Sequence, residues 1–264
     1  MPYLKTLLLL SITVMLFSCE KVIDVDLNSS SPQYVIEGNV SNESGPYTVS
    51  ITRSKNFDET NQFPPATGGL VTITDETAAY TDTLIEVEPG QYRSQNLVGI
   101  AGHTYRLRIL IEGNEFTSTS SMPQLVTLDS ILISKSLFDE DYDVIPVYND
   151  PAGRGNYYQI IERVNSSSRV LVFVRDDELT DGETVDEVLR NGFGEAQRQI
   201  NPGDTAYIDL RTVDRGVFTY YNSLQLVTDD NTATPANPIS NISGGALGYF
   251  NAYSTSKRTF IFYP

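Results

Sequence analysis

Residues 104–120 read TYRLRILIEGNEFTSTS, and their spacing decides the fold. Tyr105, Leu107, Ile109 and Ile111 fall on every second position of Thr104–Glu112. Successive side chains of a strand point to opposite faces, so these four share one apolar face. Glu112-Gly113-Asn114-Glu115 has the composition of a hairpin turn, and Phe116–Ser120 is the returning strand.

The same pattern continues towards the N-terminus. Tyr47-Thr48-Val49-Ser50-Ile51-Thr52 alternates strictly, and Gln33–Val40 alternates before a turn at Asn42–Pro46. Leu70–Thr74 and Asp82–Val87 read as strands, parted by the turn Asp75-Glu76-Thr77. Glu88-Pro89-Gly90 is a tight turn before a short strand at Tyr92. About seven short strands at regular spacing predict a β-sandwich over residues 33–124. Residues 54–69 form a polar loop that carries Phe57 and Phe63.

Met122-Pro123-Gln124 marks a boundary, and residues 125–264 are expected to form a second β-rich domain. Its strands are Leu128–Ser136, Val144–Tyr148, Asn156–Val164, Arg169–Arg175 and Thr205–Leu210, then Ala246–Ser254 and Arg258–Tyr263. Val217, Tyr220, Tyr221, Leu224 and Val227 stand at helical spacing, which predicts a helix over Asp214–Val227. A second short helix is expected at Val185–Asn191. Residues 228–246 are a long loop rich in Asp, Asn, Pro and Gly, of the length that is often functional.

The N-terminus carries a different signal. Lys5 precedes an apolar run from Leu7 to Phe17, then Ser18 and the chain's single cysteine, Cys19. A charged start, a short apolar core and a small residue at the cut make a secretory signal peptide. The run falls short of the roughly 20 apolar residues that a membrane-spanning helix needs. Leu16-Phe17-Ser18-Cys19 resembles the bacterial lipobox, whose cysteine is lipidated and becomes the mature N-terminus. Residues 1–18 are therefore expected to be removed, and 19–32 to tether the protein to a membrane through Cys19.

Without the leader, 17 basic residues face 34 acidic ones, a net charge of about −17. Such a chain is a poor partner for nucleic acid or anionic headgroups, both of which need a basic surface. With Cys19 lipidated no thiol remains, so disulfides, thiolate metal sites and cysteine nucleophiles are excluded. His103 is the only histidine, which excludes a multi-histidine metal site. A Ser-His-Asp triad would have to use His103, set between Gly102 and Thr104, where the plainer reading is a turn residue. Asp177-Glu178-Leu179-Thr180-Asp181-Gly182 places acids at the first and fifth positions of a calcium loop and glycine at the sixth. Leu179 and Val188 then occupy positions that require oxygen ligands, so it is not an EF-hand. An irregular calcium site at Asp177 and Asp181 is the alternative to a solvated acidic turn. Nothing selects a pair of carboxylates for glycoside hydrolysis from so many acids. No phosphate loop, dinucleotide fingerprint or nucleophile elbow is present.

Glycines 244, 245 and 248 could let backbone approach a partner, with Tyr249, Phe250 and Tyr253 as aromatic contacts. The alternative is a sharp turn followed by alternation that buries Leu247, Tyr249 and Tyr253.

Several stretches together resemble one family. They are Ile36-Glu37-Gly38-Asn39-Val40, Gly45-Pro46-Tyr47-Thr48-Val49, Gly90-Gln91-Tyr92, Gly102-His103-Thr104-Tyr105 and Asn149-Asp150-Pro151 with Asn156-Tyr157-Tyr158. The most specific runs from Pro235-Ala236-Asn237-Pro238 through Ser240-Asn241-Ile242 to Gly244–Phe250. The chain is similar, over most of residues 20–264, to an uncharacterised family of Bacteroidota lipoproteins that carry a domain of unknown function. The resemblance implies an outer-membrane lipoprotein, often encoded beside a TonB-dependent receptor. It also implies a first domain like a carboxypeptidase regulatory-like or immunoglobulin-like module. It supplies no catalytic residues. Surface export in such bacteria is helped by an acidic run after the cysteine. Glu20-Lys21-Val22-Ile23-Asp24 departs from that, which leaves the leaflet undecided.

The expected function is a non-enzymatic accessory or ligand-capture subunit of a TonB-dependent transporter. A surface adhesion or structural module is the alternative class. A hydrolase is disfavoured by the missing histidines and thiols.

Overall fold

The stretch 104–120 folds as its alternation requires, into a hairpin turned through Glu112 and Gly113 alone. Both turn residues have positive φ, 48° and 78°, the geometry whose twist matches the strands that it joins. The structure is a computed structural model, and it describes residues 32–55, 63–135, 142–165, 170–189, 193–194, 200–228 and 237–263. The leader, Cys19 and the tether lie outside the described residues.

Eight strands form the first half: β1 (Tyr34–Ser41), β2 (Thr48–Arg53), β3 (Leu70–Asp75), β4 (Tyr80–Thr83), β5 (Ile85–Glu88), β6 (Gln91–Arg93), β7 (Thr104–Ile111) and β8 (Asn114–Ser121). The second half holds β9 (Leu128–Lys135), β10 (Tyr142–Asn149), β11 (Tyr157–Val164), β12 (Leu171–Asp176), β13 (Thr184–Val185), β14 (Phe193–Gly194) and β15 (Thr205–Val213). Helix α1 (Arg215–Thr228) and the long strand β16 (Leu247–Ile261) close the chain.

A nine-stranded sheet runs through both halves in the order β14-β12-β11-β15-β16-β1-β2-β6-β5. One face of it carries two smaller sheets. The four-stranded sheet β4-β3-β7-β8 covers the β1 end and encloses one core, with Ile36, Val49, Ile73, Leu107 and Phe250 fully buried or nearly so. The three-stranded sheet β13-β10-β9 covers the β15 end and encloses a second, built on Leu128, Val144, Ile160, Ile208 and Leu210. Two layers of strands, antiparallel except for β1 with β16, around alternating apolar side chains make each half a β-sandwich.

Between these cores lies the stretch Met122–Gln124, with Met122 in the first and Val126 in the second. The assignment of all of 125–264 to the second half needs correction. Ile242, Ala246, Phe250 and Ala252 pack in the first core. β16 explains this: Val35–Ser41 pairs in parallel with Leu247–Tyr253, and Thr205–Thr212 pairs antiparallel with Ser254–Ile261. The two C-terminal strands expected from the sequence are thus one strand of 15 residues that serves both sandwiches.

Two further readings change. Asp82–Val87 is not one strand, because the chain leaves the four-stranded sheet after β4 and enters the nine-stranded sheet as β5, with Leu84 buried at the crossing. The short helix expected at Val185–Asn191 is absent among the described residues. Val185 ends β13, and Arg175 fixes the segment after it through Glu187 at 2.9 Å and the Val188 carbonyl at 2.9 Å. The helix expected at Asp214–Val227 forms as α1. Asp214 caps it by accepting from the Val217 N–H at 2.9 Å. The same carboxylate accepts from the Ser120 hydroxyl at 2.6 Å and the Ser121 N–H at 3.1 Å, which ties the helix to β8.

The parallel pairing of β1 with β16 depends on one glycine. Gly248 has φ of 96°, and a Cβ there would lie 2.0 Å from the Ile36 carbonyl oxygen. Gly245 has φ of 84° but open space around it. Gly248→Ala is expected to cost about 3 kcal/mol or more, since strain and a backbone clash add. Gly245→Ala is expected to cost only about 1 kcal/mol, from backbone strain alone. Denaturant melts of both variants against the parent check this.

Candidate functional site

The acidic turn singled out in the sequence sits between β12 and β13, and the fold brings a third carboxylate to it. Oxygen atoms of Asp150, Asp177 and Asp181 lie within 4.8 Å of one another. Asp150 comes from the turn after β10, between the expected strands Val144–Tyr148 and Asn156–Val164.

Each of these carboxylates already has donors from the protein. Asp177 accepts from the N–H groups of Gly155 (2.8 Å) and Asn156 (3.0 Å). Asp181 accepts from the Gly153 N–H at 2.6 Å. Asp150 accepts from the Gly182 N–H at 3.1 Å and from the Tyr158 hydroxyl. The cluster thus stitches the 150–156 turn to the 177–183 turn, as charged acceptors of backbone N–H groups do elsewhere. Burial alone would raise the Asp177 carboxyl, but the N–H groups of Asn156 and Gly155 outweigh that and hold it below the usual carboxylate range. Tyr158 moves the other way: burial and its bond to Asp150 push its hydroxyl well up. A calcium ion at Asp177 and Asp181 would have to compete with these donors for the same oxygens.

Beside this cluster, α1 crosses the opposite face of the nine-stranded sheet and leaves a cleft against the acidic turn. One lobe, about 440 Å³, is lined by Arg154, Tyr157, Asp177, Glu178 and Arg215. The other, about 400 Å³, is lined by Tyr148, Arg175, Leu179, Glu187 and Asn222. Asp176 and Phe218 line both. The Tyr157 and Phe218 rings stack with centroids 4.9 Å apart and planes 30° apart. Leu179 is 93% exposed at the rim. Arginines, carboxylates and a stacked ring pair within one concave site suit a polar ligand with one flat apolar face. Sequence reading marked the acidic turn here. Arg154 carried no signal, while Arg215 and Phe218 lay inside the expected helix.

The other candidates fall elsewhere. Phe250 is fully buried in the first core, so it offers nothing to a partner. Tyr249 is wedged between Tyr220 and Tyr221 of α1, at 5.0 and 5.1 Å between ring centroids. Tyr253 lies beneath the Arg211 guanidinium, 4.3 Å from its ring centre. The strand's period of two explains the split: even positions of β16 face the sandwich cores and odd ones face the helix layer. The partner-contact reading is thereby corrected for Phe250, while Tyr249 and Tyr253 are half-buried and already engaged with α1 and Arg211. Two of them were expected to be core on the alternative reading, but with the phase reversed: Phe250, not Tyr249, enters the sandwich. Asp75 accepts from His103 Nδ1 at 2.8 Å and from the N–H groups of Thr77 (3.0 Å) and Ala78 (2.9 Å). The pair clasps the β3–β4 turn to the start of β7, the turn role.

The profile of a domain of unknown function, DUF4249, matches residues 20–259. The chain belongs to the DUF4249 family. Among solved structures, a two fibronectin type-III domain segment from chicken tenascin is similar to this DUF4249 protein at 14% identity. The match covers 70% of this chain and 92% of that one, with a TM-score of 0.23. A comparison with curated proteins finds no match.

If the acidic cluster works as a clasp, a chelator leaves the melting temperature unchanged. Asp177→Asn is expected to cost about 2 kcal/mol at neutral pH, the scale of charge-assisted hydrogen bonds to buried N–H groups. A carboxyl held down in the folded state stabilises above its unfolded pKa, and that contribution fades as pH falls through the folded value. The gap between parent and variant should therefore hold above about pH 4 and close below it. Urea melts from neutral to acid pH, with and without EDTA, measure both.

Proposed function

We propose that this DUF4249 protein is a non-enzymatic lipoprotein of the outer membrane, held through Cys19, that serves as an accessory or ligand-capture subunit of a TonB-dependent transporter. The observation that carries the reading is positional. The family match begins at residue 20, directly after the cysteine of Leu16-Phe17-Ser18-Cys19, which in turn follows the apolar run of the leader. A domain that starts where the mature chain would start is what a lipidated N-terminus requires. Once two or more acyl chains are attached, membrane anchoring is stable.

The cleft under α1 supports a capture role over chemistry. It is concave and polar, with a ring pair on one wall. Asp177, its most buried carboxylate, has its affinity for protons lowered, the opposite of what a general acid near neutral pH needs. The link to a transporter rests on the family resemblance alone.

Cys19→Ala is expected to move the protein from the membrane fraction to the soluble fraction. Sedimentation with membranes despite the substitution would refute the anchor. Gentle affinity purification of the full-length protein from solubilised membranes, followed by mass spectrometry, tests the partner. A large β-barrel receptor in near-equal amount is the expected companion. Recovery of the protein alone would turn the reading towards an adhesion or structural module.

A further inference from the structure

On the same face of the nine-stranded sheet, three strands carry their odd-numbered side chains in aligned rows, buried at Gln159 and Thr255 and opening to solvent at Arg163, Lys257 and Thr259. The register places Gln159, Arg211 and Thr255 in one row across β11, β15 and β16. Ile161, Asp209 and Lys257 form the next, and Arg163, Tyr207 and Thr259 the third. Together with Arg258 at the rim, the lower rows and Arg211 enclose a groove of about 330 Å³. Four of the chain's 18 basic residues line it against one acidic residue, in a protein of net charge −16. The local charge is thus opposite in sign to that of the whole molecule.

The cations are held in different ways. Arg211 is fixed: Asp209 accepts from its Nε at 2.9 Å and its Nη2 at 2.8 Å, Gln159 from its Nη1 at 3.4 Å, and the Tyr253 ring lies beneath it. Burial works against its charge, but the Asp209 carboxylate, with the Tyr253 and Tyr221 hydroxyls, outweighs this and raises its pKa. Thr255 holds the other oxygen of Asp209, so that carboxylate is fully engaged. Lys257 pairs with Glu43, both half exposed, where water screens the pair. Arg258 donates to the Leu128 carbonyl. Arg163 is exposed and has no hydrogen-bond or ion-pair partner among the described residues. Ile161 and the 40%-exposed Tyr207 ring give the floor an apolar part.

We propose that this groove binds a small oxyanion, a carboxylate or a phosphate, between Arg163 and Lys257 over the Tyr207 ring. Arg163 offers the planar fork that suits such groups, and Lys257 offers a point charge that can leave Glu43. Arg211 is the fixed cation behind them, kept in place by Asp209. The volume lies at the lower end of small-ligand sites, so the ligand is small. This site is separate from the cleft under α1, and it stands whether or not the protein serves a transporter.

Isothermal titration of the full-length protein in neutral detergent at low ionic strength, with citrate and with inorganic phosphate as probes, tests it. Saturable 1:1 binding of at least one probe is expected, and the tighter of the two names the oxyanion class. Arg163→Ala should weaken that binding about tenfold, the worth of one charge-assisted hydrogen bond. Arg93→Ala, which removes the same charge from an exposed position on β6, should leave it unchanged. Lys257→Gln should weaken it too, with an unchanged melting temperature that shows the fold is kept. Failure of both probes to bind overturns the proposal. Equal weakening by Arg163→Ala and Arg93→Ala also overturns it, since net charge and not the groove would then be responsible.

Discussion

Everything in this fold hangs on the two-sided backbone ladder of β16. Along its first seven residues the strand bonds to β1 in parallel, and along its last eight to β15 in antiparallel. A backbone N–H or C=O that is buried without a partner costs about as much as a lost hydrogen bond or more. Neither sandwich can therefore close without this strand. The chain starts the first core at β1 and leaves it after β8. It builds the second with β9 to β15, then returns through β16 to complete the first. The long connection is possible because Gly248 lets the incoming strand pass within contact of the Ile36 carbonyl.

Polar side chains fix the seam where the strand changes partners. The Ser254 hydroxyl donates to the Pro123 carbonyl at 2.6 Å, and the Thr212 hydroxyl to that of Gln124 at 3.0 Å. Thr255 donates its N–H to Asn42 at 2.9 Å. Ser120 accepts from the Ala252 N–H at 2.9 Å while donating to Asp214, the helix cap. These bonds join residues at least 88 positions apart, so they resist separation of the halves without adding apolar area. The connection at Pro123-Gln124 is thus held against β15 and β16 and is not a free linker.

The outer face of the long sheet divides into two environments. Helix α1 roofs one end with Phe218, Tyr220 and Tyr221 and leaves the ring-lined cleft against the acidic turn. The other end lies beyond the helix, and there the basic groove is open. Charge balance is local: the Asp150, Asp177 and Asp181 carboxylates are absorbed by backbone N–H groups, while cations gather on the β11-β15-β16 rows. The net charge of the molecule describes neither site, because fields near a surface are set by groups within about a Debye length.

The strand pattern and the helix over Asp214–Val227 were legible in the sequence. They rest on period and on residues such as Gly113 and Asp214, whose effects act within a few positions. The acidic turn was legible for the same reason. The tertiary structure alone decided that β16 is one strand, that Phe250 enters a sandwich core, and that Asp82–Val87 divides at Leu84. Only the fold could bring Asp150 to Asp177, or Arg163 to Lys257. Period fixes which residues share a face, but not which sheet that face meets. That choice is made by pairing between strands distant in the chain, which leaves no mark at any single position.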